Sequence, residues 1–190
     1  MPDRPRVGIS RCLLGDEVRY DGTHKRDSDL LAALSPHVEW VPVCPEVEVG
    51  MGTPREPIHL VADAGGVPSG ESHVRLLGVE SATDWTDRMH AWARTRAEAL
   101  RQLGLSGFIL KARSPSCGIR DVRIERGPGE AGRYEQPSGR GLFAEAIVTA
   151  MPDLPVADED DLRDPVARET LLARVRGFRL QAEGWQRGHQ

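Results

Sequence analysis

FILKARSPSCGIRDV, Phe108 to Val122, is the stretch whose reading decides the fold. A short apolar run ends in a lysine, and a Ser-Pro-Ser-Cys-Gly turn follows at once. The run is too short for a buried helix and is bounded by turn residues, so GFILKA reads as a core strand. A structural cysteine would sit inside such a run. Cys117 instead follows it, where Pro115 stiffens the approach and Gly118 lets backbone come close to a bulky group. The arrangement recurs twice upstream. RVGIS (6–10) reads as a short buried strand with Cys12 just past its end, and VEWVPVC (38–44) is a second strand that closes on Cys44.

Between these strands the pattern turns helical. DSDLLAALS opens on Asp27 or Ser28 as N-cap. Trp85, Met89, Trp92, Ala93, Arg96 and Leu100 recur at three- and four-residue spacing, with Thr83 as N-cap and Gly104 as the stop. GLFAEAIVTAMP is a helix halted by Pro152, and DPVARETLLARVRGFRLQAEG a final amphipathic helix with Pro165 near its start. IHLVADA and HVRLLGVE read as two strands joined by GGVPSG, and IRDVRIER as a further strand or hairpin arm. PEVEVGMGTPREP and GPGEAGRYEQPSGRG read as loops, and LPVADEDD as a link whose acidic run is solvated. Strands alternating with helices imply an α/β fold, a mostly parallel sheet flanked by helices in a Rossmann-like three-layer arrangement. A single domain over 1–190 is expected, with 153–190 a C-terminal link and helix packing on it.

Composition narrows the class. The chain has 190 residues and a net charge of −4, with a calculated pI near 5.9. That disfavours a general nucleic-acid binder, and DNA is not an expected partner. No apolar stretch approaches bilayer-spanning length and the N-terminus lacks a signal-like run, so a cytoplasmic protein without membrane partners is expected. Only two of the 25 basic residues are lysines, Lys25 and Lys111. Both lie beside the cysteine motifs.

An odd number of cysteines with no CxxC pair speaks against a disulfide framework, a thioredoxin-type motif and a zinc ribbon. A lone free cysteine is most often a small buried hydrophobe. Three that each follow a core strand are different, because the carboxyl ends of α/β strands share one edge where ligands bind. Three thiolates there suit zinc with His24 or His59 as fourth ligand, or an iron–sulfur cluster with one iron lacking a protein ligand. A catalytic thiol paired with histidine is a third option. Around them, Glu46 is placed for general acid–base work two residues past Cys44, with Glu48 the lesser candidate. Ser114 can orient substrate or water, while Ser116 caps the turn. Arg19, Lys25, Arg55, Lys111 and Arg113 can receive an anionic or carbonyl-rich ligand. Asp21 serves equally as a turn former.

SRCLLGDEVRYDGTHKRD, VPVCPEVEVGMGTPREP, FILKARSPSCG and GRGLFAEAI together resemble the thiouracil desulfurase family, in its stand-alone form, over nearly the whole chain. The resemblance implies a [4Fe–4S] cluster on Cys12, Cys44 and Cys117, with the fourth iron free to take the sulfur of a thiolated base. It carries the family's acid–base glutamate to Glu46 and its active-site serine to Ser114. The implied substrate is a thiolated pyrimidine of 2-thiouracil or 4-thiouracil type, as base, nucleoside or nucleotide, converted to uracil and sulfide without net redox change. Competing readings are a zinc-dependent nucleobase hydrolase or deaminase, although the HxE…PCxxC pattern is absent, and a non-catalytic iron–sulfur module.

Overall fold

Four parallel strands form the central sheet of the computed structural model, which describes residues 4–62, 74–126 and 138–187. They are β1 (Arg6–Ser10), β2 (Glu39–Val43), β5 (Gly107–Leu110) and β8 (Val156–Asp158), in the order β2-β1-β5-β8. Side chains alternate across it. Phe108 and Leu110 face one layer, built on α4 (Thr86–Gln102) and α5 (Leu142–Ala150), through Ala93, Ala97, Leu100, Phe143 and Ile147. Val7, Ile9 and Ile109 face the other, built on α2 (Ser28–Leu34) and α6 (Pro165–Arg187), through Leu30, Leu34, Leu171 and Val175. Each fully buried side chain of this size contributes about 1.5–3 kcal/mol. Gly8 lies in register with Phe108, and a Cβ there would come within 2.5 Å of the Phe108 ring. The lack of a side chain at Gly8 is what seats that ring, edge-on to Phe143 with centroids 5.7 Å apart.

The strand order creates a switch point. From β1 the chain crosses through α2 outward to β2, while from β5 it crosses through α5 outward to β8. Beyond the carboxyl ends of β1 and β5 the two crossovers diverge and leave a crevice, the place where open α/β sheets bind ligands. All three cysteines follow strands that end at this edge.

A second, mixed sheet has the order β4-β3-β6-β7, from β3 (Ile58–Ala62), β4 (Val74–Gly78), β6 (Val122–Arg126) and β7 (Ser138–Gly139). Its Leu60, Leu76 and Val122 pack on Met89 of α4 and Leu142 of α5. The expected turn between β3 and β4 lies outside the described residues, as does most of the expected loop before α5.

Several expectations need correction. LPVADEDD is no mere link: Val156–Asp158 is the edge strand β8, pairing in parallel with β5. Its acidic run is not solvated either, since Asp158 and Glu159 are buried. PEVE, read as irregular, forms the helical turn α3 (Pro45–Glu48), because proline suits the first helical position and acidic groups suit a first turn. Ser138 and Gly139, read as loop, pair with Arg123 and Val122. Thr83 is not a cap, as α4 starts at Thr86, whose N–H donates to Asp84 Oδ1 at 2.9 Å. Asp27 does cap α2, accepting from the Leu30 N–H at 3.0 Å.

Candidate active site

Each cysteine is set by a different local device. Cys12 lies on the one-turn helix α1 (Arg11–Leu14) directly after β1, and Gly15 ends that turn at φ +108°. The Cys12 carbonyl accepts the N–H groups of Lys25 at 2.8 Å and Gly15 at 3.3 Å. Cys44 precedes α3 at its N-cap, where its N–H donates to Glu48 Oε1 at 3.1 Å and Glu48 in turn pairs with Arg96. Cys117 sits in a turn closed by Ser114, whose Oγ accepts the N–H groups of Ser116 and Cys117 at 3.2 Å each. That turn docks on the start of α5. The Ser116 carbonyl accepts from Phe143 and Ala144 at 3.0 Å, satisfying two helix-terminal donors. Contact is so close that a Cβ on Gly141 would lie 2.5 Å from the Ser116 backbone.

The three cysteines, Glu46 and Ser114 line one cavity of about 270 Å3 at the switch point. Glu46 is buried, with Oε2 3.4 Å from Cys44 Sγ and 3.9 Å from Arg55 Nη2. Arg55 is itself anchored, donating through Nη1 to the Val18 and Gly52 carbonyls at 2.9 Å each. Burial pushes the Cys12 thiol up to about 11; Glu46 adds to the rise, while Lys111 and Arg19 oppose it. Burial, then Glu46, pushes Cys44 up to about 12, and Cys117 is raised well above its ordinary value for the same two reasons first. With nothing bound these are neutral thiols, which must release protons when they ligate metal.

The donor set tests the groups expected here. Among the described residues no three His, Cys, Asp or Glu side chains converge on a single ion position. Neither histidine proposed as a fourth zinc ligand lines the cavity. His24 Nδ1 accepts from the Arg26 N–H at 3.2 Å, and His59 Nδ1 lies 2.8 Å from Glu125 Oε2. Three soft donors spread around a cavity wider than one ion fit a multi-metal cluster better than a closed tetrahedral zinc site.

The cations divide. Arg19, Arg55, Lys111 and Arg113 line the cavity. Arg19 Nε lies 3.6 Å from Asp21 Oδ1, and Asp21 also accepts from the Thr23 N–H and hydroxyl as a turn former. Arg113 is largely exposed and paired with Asp160. Lys25 is exposed and off the cavity, contributing its backbone N–H to the Cys12 turn. Three lining or bracing residues were missed from sequence. Tyr20 lines the mouth, 42% exposed, with the Arg19 guanidinium 5.4 Å from its ring centroid. Ser10 is a buried lining residue that accepts the Lys111 N–H at 3.0 Å. Glu159 binds the Lys111 ammonium and accepts the Ala112 N–H at 2.7 Å. The signal for Glu159 was an acid two residues past the apolar run Leu154–Ala157, with Lys111 directly past another.

Fold and site together define an α/β protein with a thiol-lined pocket at the switch point of its sheet. A profile of the 2-thiouracil desulfurase family matches residues 7–159, from β1 to the residue after β8, and the chain belongs to that family. It is 36% identical over 111 residues to the uncharacterized protein YbbK of Bacillus subtilis (strain 168), covering 58% of this chain and 71% of YbbK. It is also similar to the solved structure of the [4Fe–4S]-dependent thiouracil desulfidase TudS. That match has a TM-score of 0.61 at 30% identity and spans 88% of this chain and 99% of TudS.

Proposed function

We propose that the chain is a [4Fe–4S]-dependent desulfidase of thiolated pyrimidines, replacing a thiocarbonyl sulfur by the oxygen of water and releasing hydrogen sulfide. The exchange balances without an electron donor or acceptor. One observation carries it: three thiols line the same cavity as a buried carboxylate, with no histidine among the described residues that line it. Cys12, Cys44 and Cys117 would hold the cluster and leave one iron without a protein ligand. When bound, it supplies a soft Lewis acid suited to a leaving sulfur.

The chain's own residues do the rest. Glu46 takes a proton from the attacking water, and the Arg55 guanidinium, 3.9 Å from Glu46 Oε2, helps to hold the carboxylate in the cavity. The Ser114 oxygen already accepts two N–H groups, which leaves its own proton to donate to the oxygen developing on the ring. Lys111 and Arg19 offer donors to the ring carbonyl. Pro45, Val18 and Ile58 also line the cavity and limit water around the reacting carbon.

In this reading residues 1–190 act as one domain on a small base, nucleoside or nucleotide, in the cytoplasm, without DNA or membrane partners. No helix among the described residues is long and apolar enough to cross a membrane. The test is release of uracil and sulfide from 2-thiouracil and 4-thiouracil by anaerobically reconstituted protein. Stoichiometric products are expected. A loaded protein that turns over neither compound, alone or as its nucleoside or nucleotide, would contradict the proposal.

A further inference from the structure

Lys111 and Glu159 meet across 48 residues of chain at the inner wall of the site. The contact is mutual and closed. Glu159 takes the Lys111 ammonium with one oxygen and the Ala112 N–H with the other, while the ammonium also donates to the Ala112 carbonyl at 3.2 Å. The two side chains are only 18% and 10% exposed. Lys111 is fixed at its backbone too, through its N–H to Ser10 Oγ, two residues from Cys12. A surface ion pair needs no such framing and is seldom held so firmly. Lys111 and Cys12 line the same cavity, so a charge held at Lys111 acts on whatever the three thiols bind there.

We infer that Glu159 is a positioning residue that holds the Lys111 ammonium on the cavity wall beside Cys12, so that a compensated positive charge faces whatever the three thiolates bind. The inference rests on the cluster reading above and extends it to the electronic state of that cluster. Cluster potentials respond to nearby charge, and reduction adds negative charge, which a facing cation stabilises. Removing the ammonium lowers the reduction potential. Removing the carboxylate's charge while keeping its shape leaves the ammonium uncompensated and raises it. Loss of packing alone has no reason to move the two variants in opposite directions.

The experiment is an anaerobic redox titration, followed by visible absorption, of reconstituted wild type, Lys111→Gln, Glu159→Gln and the double variant, with Lys111→Arg as a charge-conserving rescue. Expected are a downward shift for Lys111→Gln, an upward shift for Glu159→Gln and a return toward wild type in the double variant. Lys111→Arg stays near wild type, and its contrast with Lys111→Gln keeps the test decisive if Glu159→Gln does not fold. Wild type that takes up no cluster overturns the cluster reading and this inference together. A loaded wild type with the glutamine variants unshifted or shifted in the same direction, or with Lys111→Arg behaving like Lys111→Gln, overturns the inference alone.

Discussion

Two loops at one sheet edge present a cysteine by opposite means. The CPEVE loop is closed mainly by its own residues: Pro45 starts a helical turn and Glu48 folds back onto the Cys44 N–H, with Arg96 of α4 pairing with Glu48 from outside. The SPSCG loop closes on Ser114 but is completed by α5, whose first N–H groups bind the Ser116 carbonyl and whose Gly141 has no side chain to obstruct it. A local device tolerates change elsewhere in the chain. A docked one depends on residues far away in sequence, so the two loops differ in where they are vulnerable.

The largest expected effect belongs to the local loop, because the proposed acid–base role of Glu46 adds to its thiol. Glu46→Gln should lower kcat by about 100- to 10,000-fold with iron content unchanged, measured by steady-state sulfide release beside iron analysis; a loss under tenfold would remove Glu46 from its role. Gly141→Ala comes next. Its methyl has no room against Ser116, so urea unfolding of the metal-free chain should show a loss of about 1–3 kcal/mol, with cluster loading weakened as the Cys117 turn is displaced. An unchanged midpoint would mean that the two segments are not tightly docked. Ser114→Ala leaves two N–H groups without their acceptor and should cost about 1–2 kcal/mol, with a turnover loss beyond what stability explains. Glu48→Ala, whose place water can partly take, should cost about 1 kcal/mol or less. If Glu48→Ala proved more damaging than Gly141→Ala, the contrast between the loops would be reversed.

The parts of the molecule legible in the sequence are those whose signal is local. The strands around Ile9, Val43 and Ile109 and the helix through Met89, Ala93 and Leu100 announce themselves by hydrophobic run or period. So did Cys12, Cys44 and Cys117, since each follows such a strand, and the structure brings all three to one cavity. What stayed hidden depends on distant partners. Asp158 and Glu159 looked solvated because an acidic run usually is; they are buried because Arg120 and Lys111 neutralise them from the neighbouring loop. Val156–Asp158 is only three residues long and becomes a strand through its pairing with β5. Lys25 was drawn in by its neighbourhood in sequence, and its exposed side chain lies off the cavity. The separation of β3, β4, β6 and β7 into a second sheet had no sequence signal at all, as period alone does not say which strands pair.

The central claim is that the three thiols hold an open iron–sulfur cluster. It is tested most directly by iron, zinc and acid-labile sulfide per chain after anaerobic reconstitution, in wild type and Cys117→Ala. The account predicts about four iron and four sulfide in wild type and their loss in the variant. One zinc with no sulfide, or full loading of Cys117→Ala, would contradict it.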